Sequence, residues 1–135
     1  MNLSESVFSV LKSHYSKIDK LSSSPKIWAI NYLKCNIRTA SEKSGDKYWF
    51  DVTPKLYEAN EVDYFIYVCG TPDSIYIFPC SDFSILINGA HLGGQKQVPN
   101  FTIFDNSSEF EPAGHSQERH GIAKYKNAFG TIPEI

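Results

Sequence analysis

His115-Ser116-Gln117-Glu118-Arg119-His120 is the densest run of chemistry-bearing side chains in the chain. Two imidazoles and a carboxylate so close together can hold zinc or serve as a general base. Their spacing is not that of a His-Glu-x-x-His helix, in which two histidines four apart share one face. A solvated helix start, with Glu118 favoured by the positive end of the dipole, accounts for the same residues. A second group sets cations beside rings: Lys34, Arg38, Lys43 and Lys47 lead into Tyr48 and Trp49. Single-stranded nucleic acid favours that mixture, and the same lysines can also keep an exposed hairpin soluble. Asp51, Glu58, Glu61 and Asp63 are carboxylates for a divalent cation or simply a solvated face. Gly93-Gly94-Gln95-Lys96 has too few glycines, and no strand immediately before it, for a phosphate loop.

The elements that must position these groups can be read from periodicity. Leu3, Val7, Phe8, Leu11, Tyr15 and Ile18 have helical spacing, with Asn2 and Glu5 as a capping pair, so a helix is expected over 3–20. Ser22 to Pro25 would end it. Ile27, Ala29, Leu33, Cys35 and Ile37 alternate, giving one long strand or two short ones, with a helix as the alternative. Ser44-Gly45-Asp46 is a turn, with Tyr48–Thr53 as the return strand of a hairpin. Tyr64–Cys69 and Ser74–Phe78 form a second hairpin around Gly70-Thr71-Pro72-Asp73. A short helix capped by Ser81 carries Phe83, Leu86 and Ile87, and Asn88-Gly89 stops it. Phe101–Phe104 is a short strand, 105–116 a loop, and 117–129 a closing helix with Ile122, Tyr125, Ala128 and Phe129 on one face. The expected fold is α+β, a mainly antiparallel sheet of four to five strands with an N-terminal and a C-terminal helix.

The 135 residues, 41% apolar and with net charge −2, suit one domain over 1–135 whose core needs no staple. Charge is unevenly spread: residues 1–47 sum to +4, 48–114 to −7 and 115–135 to +1. The basic part can meet phosphate, and the acidic middle can meet a basic protein partner. Cys35, Cys69 and Cys80 match neither a zinc pair nor an even disulfide framework. No apolar run approaches the ~18 residues of a membrane span. A cytoplasmic location without membrane insertion is therefore expected.

Val62-Asp63-Tyr64-Phe65-Ile66-Tyr67-Val68-Cys69, followed after a turn by Ile75-Tyr76-Ile77-Phe78-Pro79, resembles the back half of a PD-(D/E)XK, or restriction-endonuclease-like, domain. It is most similar to the group I intron-associated endonucleases. Asn36-Ile37-Arg38-Thr39-Ala40 stands where that branch carries a Gln-Val-Lys-Thr-like motif, Tyr48–Asp51 supplies its aromatic strand, and Lys124–Ala128 its closing helix. The resemblance implies a restriction-endonuclease-like fold. In such nucleases an acid on one strand and a second acid two residues before a lysine bind magnesium, which activates water. Here the two positions are Asn36 and Arg38, and the 14 residues before Asn36 contain no Asp or Glu.

These departures lead to the expectation of a degenerate nuclease-fold protein, associated with DNA or RNA and without magnesium-dependent cleavage of its own. Its nucleic-acid contacts would be Lys34, Asn36, Arg38, Lys43, Lys47 and Trp49, and no metal or other cofactor is expected. Two alternatives stay open. One is a protein-interaction or regulatory module of a phage or mobile element. The other is an active metal-dependent endonuclease with a relocated magnesium site drawn from Asp51, Asp63, His115, Glu118 and His120. A homodimer is compatible with each.

Overall fold

The computed structural model describes residues 5–42 and 45–135. Asn2, Leu3, Lys43 and Ser44, which enter the expected helix cap, helix face and cationic turn, lie outside them.

Helix α1 (Glu5–His14) buries Val7 and Leu11 one turn apart, and Tyr15 follows them into the same core. It is shorter than the expected 3–20. Strand β1 (Ile18–Ser23) pairs with β2 (Lys26–Ile30), so Ser24 and Pro25 turn a hairpin instead of stopping a helix. The alternating run resolves into two strands, β2 and β3 (Leu33–Ala40), paired antiparallel. Asn31 and Tyr32 between them have φ of 49° and 70°, the left-handed pair that matches strand twist in a two-residue hairpin. The Asn31 amide also donates to the Pro133 carbonyl at 3.0 Å, tying the hairpin to the C-terminal segment.

The expected hairpin from β3 into Tyr48–Thr53 does not form. Strand β4 (Lys47–Asp51) instead pairs with β8 (Val98–Phe104), with Tyr48 opposite Ile103. A short helix, α2 (Lys55–Glu58), follows, and β5 (Tyr64–Cys69) returns beside β3 in parallel, Arg38 opposite Tyr67. Parallel neighbours need a crossover of about a dozen residues or more, which 41–63 supply. β5 and β6 (Ile75–Pro79) make the expected hairpin. Helix α3 (Cys80–Ile87) carries Phe83, Leu86 and Ile87 inward, with Pro79 rather than Ser81 at its N-cap. Strands β7 (Leu92–Gly93), β9 (Glu109–Pro112) and β10 (His120–Gly121) complete the order, β9 arising within the expected 105–116 loop.

The expected helix over 117–129 is absent. Ile122 and Tyr125 are buried, but from the N-cap and the last residue of a 3₁₀ turn over Ala123–Tyr125. Asn127, at φ 54°, accepts the Ile75 N–H at 3.1 Å and donates to the Asp73 carbonyl at 2.7 Å. These bonds to the β5–β6 turn hold residue 127 in a left-handed conformation that no helix admits. An i, i+3 apolar pair is equally served by a single 3₁₀ turn.

The chain is α+β, and its described residues form two five-stranded sheets in place of the single sheet expected. The first has the order β1-β2-β3-β5-β6 and is mixed, since β3 and β5 are parallel. The second runs β10-β9-β8-β4, with β7 also on β8. Alternate residues of β5 and β6 enter two cores. Ile66, Val68, Ile75 and Ile77 meet α1, whereas Phe65, Tyr67, Tyr76 and Phe78 meet α3 and the Phe50, Phe101 and Phe110 rings of the second sheet. No helix among the described residues is long and apolar enough to cross a membrane.

Candidate functional site

Where the two sheets diverge, a groove of about 300 Å³ opens over β3. Asn36 and Arg38 lie two apart on one face of that strand, the face that looks toward the second sheet. The end of β4 and the residues after it contribute Asp51 and Thr53, α2 contributes Lys55, the β1–β2 turn Lys26, and the segment before β8 Lys96. Four basic residues thus line the groove against one acidic residue. Two of them, Lys55 and Lys96, are the only cations in the acidic segment 48–114.

The Arg38 guanidinium is anchored and incompletely used. Its Nη1 donates to Asp51 Oδ1 at 3.1 Å and lies 3.4 Å from the Asp51 carbonyl oxygen. Among the described residues its buried Nε has no hydrogen-bond partner, and neither has the hydroxyl of fully buried Tyr67, at the paired position on β5. Burial pushes the Tyr67 hydroxyl up from its ordinary value, against the pull of the Arg38 charge, so the phenol stays protonated. Buried polar groups are rarely left unpaired, because each forfeits its hydration for nothing. The pair beneath this groove therefore marks it out from the rest of the core.

Magnesium, which the resemblance implies, does not fit these residues. It takes oxygen ligands and is usually bound through one or two carboxylates. The groove's one carboxylate is engaged by Arg38, and Asn36 turns its amide nitrogen to the Lys26 carbonyl at 2.7 Å. Four surrounding cations oppose a further positive charge.

The other expected site residues are dispersed. The Lys34 N–H donates to Asp63 Oδ2 at 2.9 Å and the Asp63 N–H to the Lys34 carbonyl at 2.7 Å, so Asp63 fastens the start of β5 to β3. Lys34 and Asp63 line a separate depression with Glu61. Lys47 and Trp49 belong to the second sheet. His115 sits with Nε2 at 2.6 Å from the Gly89 carbonyl and Nδ1 at 3.4 Å from Glu118, which ties two loops together. His120 lies on β10 opposite Phe110. The five candidates of the relocated metal site do not converge, and no group of three His, Cys, Asp or Glu suited to a metal occurs among the described residues. Asp51 lies apart from Glu61 and Asp63 as well. Burial raises the thiols of Cys35, Cys69 and Cys80, which keeps them protonated and unreactive.

Sequence reasoning reached Asn36, Arg38 and Asp51 but passed over Lys26, Thr53, Lys55, Lys96 and Tyr67. The available signal was the isolation of Lys55 and Lys96 in an acidic stretch. No family model, curated protein or solved structure matches the chain.

Proposed function

We propose that the chain binds the phosphate backbone of a nucleic acid in the Arg38 groove and does not cleave it with magnesium. The observation that carries this reading is the placement of both cations of the acidic segment beside Arg38 and Lys26. Asp51 orients the guanidinium from one side, and the part of the Arg38 side chain that stays exposed suits an anion's oxygens. Lys55 and Lys96 balance the remaining phosphate charge as compact point charges. Arg38 cannot act as a base, because a guanidinium does not give up its proton in a protein, and among the described residues no carboxylate is free in the groove to gather a metal. On this reading the chain is a nuclease relative of the PD-(D/E)XK type whose reactive positions have become a binding site.

Anisotropy titrations with DNA and RNA oligonucleotides at low and moderate salt test the reading. Binding should weaken with salt, with a logarithmic slope of roughly −0.7 to −0.9 per phosphate neutralised. Absence of binding at low salt would overturn it. Supercoiled plasmid and single strands incubated with the protein in magnesium or manganese should stay intact, and nicking would show that a metal centre operates after all.

A further inference from the structure

Lys47, Trp49 and Asp51 alternate along β4 and share the outer face of the second sheet, while Phe50 between them enters the core. Asp51 reaches the phosphate groove, whereas Lys47 and Trp49 border a second concavity of about 440 Å³ with Asn100, Thr102 and Phe104. That volume is in the range of small-molecule sites, about 300–1,000 Å³. One short segment joins the two hollows, with Gly93 and Gly94 lining the second and Lys96 the first. A Cβ at Gly93 would meet Asn100 Nδ2 at 2.7 Å, so this segment lies directly on β8. Trp49 beside it is 59% exposed. Glu111 at the rim pairs with Arg119 at 3.0 Å, which also reaches Glu109 at 3.7 Å and lies over the Phe104 ring at 3.8 Å. Lys47, whose ammonium lies 5.8 Å from the centre of the Phe104 ring, stands at the edge of this hollow.

We infer that the ligand is a single strand: a base stacks on the Trp49 indole, and the phosphates flanking it run between Lys47 and the Arg38 groove. The inference rests on the phosphate groove proposed above and adds the ligand's strandedness. A duplex keeps its bases stacked on one another and offers no free ring face here, whereas an unpaired base does. The continuity of the two hollows along β4 is what joins a stacking surface to a backbone site.

Fluorescence resolves the matter, because only Trp28 and Trp49 absorb as indoles. In a Trp28→Phe background, a short oligothymidylate should quench Trp49, and the same backbone without bases should not. Trp49→Ala should weaken oligothymidylate binding about tenfold, in line with one lost stack, and Trp49→Phe should restore most of it. Binding of the abasic backbone and of a duplex should be indifferent to both changes, while Arg38→Ala weakens all three. Oligothymidylate affinity unchanged in Trp49→Ala but lowered in Arg38→Ala would overturn the stacking inference and leave the groove standing. Failure of all three ligands to bind at low salt would overturn both.

Discussion

Asp51 and Asp105 each face a cation at almost the same distance, Arg38 at 3.1 Å and Lys126 at 3.2 Å, yet the two pairs differ in every other respect. Both oxygens of Asp105 are occupied: Oδ2 accepts from the Ser74 hydroxyl and Oδ1 from the Tyr76 hydroxyl, each at 2.7 Å, with Lys126 alongside. These groups come from the β5–β6 turn, from β6, from the loop after β8 and from the C-terminal segment, so the cluster fastens one end of the two sheets together. Around Asp51 the pairing is unfinished, with Arg38 Nε and the Tyr67 hydroxyl buried and unpartnered below an open groove. A closed polar network belongs to the architecture, whereas the Arg38–Asp51 pair stays partly exposed at a cationic cavity, where a ligand can meet it.

The largest expected effect is at the closed cluster. Asp105→Ala strands the Ser74 hydroxyl, leaves the Tyr76 hydroxyl only Ser108 at 3.3 Å and unpairs Lys126, and should cost about 3 kcal/mol of unfolding free energy in urea denaturation. Asp51→Asn should cost less than about 1 kcal/mol, because Asp51 and Arg38 are partly solvated. The closed cluster should also report itself on acid titration. Burial alone would raise the Asp105 carboxyl, but Ser74, Tyr76 and Lys126 together hold it below the usual carboxylate range. A lowered folded pKa stabilises above the unfolded value of about 3.9 and is lost as pH falls through the folded value. Stability measured across that acid window should therefore fall in the parent and flatten in Asp105→Asn.

Arg38→Ala ranks next, with its effect on binding: affinity for oligonucleotides should drop roughly tenfold, about 1.4 kcal/mol, and the salt slope should shrink by about one unit. Asp105 variants that remain folded should keep parent affinity, and equal losses at both positions would erase the distinction between the clusters. The smallest effects come from two tyrosines on neighbouring strands. Tyr76→Phe breaks a bond to a charged acceptor and should cost about 1.5 kcal/mol, whereas Tyr67→Phe removes an unpaired hydroxyl and should lie within about 0.5 kcal/mol of the parent or above it. A substantial loss in Tyr67→Phe would mean that its hydroxyl is satisfied and that the groove floor is as complete as the Asp105 cluster.

Elements with strong local periodicity are legible in the amino-acid sequence. Val7 and Leu11 on α1, the doubly buried alternation of Tyr64–Cys69 and Ile75–Phe78, and the inward face of α3 follow from side-chain spacing alone. The helix expected over 117–129 fails because Ile122 and Tyr125 meet the core from a 3₁₀ turn, and Asn127 is claimed by Ile75 and Asp73. Of the site, the Asn36–Arg38 strand face is legible and its neighbours are not, because they come from segments far apart in the chain.

The amino-acid sequence by itself determined the α+β composition, the hairpin of β5 and β6, and the placement of Asn36 and Arg38 two apart on one strand face. Those are properties of residue type and of spacing within a single turn or strand pair. Tertiary structure alone decided that β4 leaves β3 for β8, that β3 and β5 run parallel, and that Lys26, Arg38, Asp51, Lys55 and Lys96 surround one groove. An aromatic strand such as Tyr48–Asp51 carries the same period-two pattern whichever sheet it joins. Its partner is chosen by the core that its buried face completes, here the Phe50, Tyr67 and Phe101 rings, and that choice carries Asp51 to Arg38.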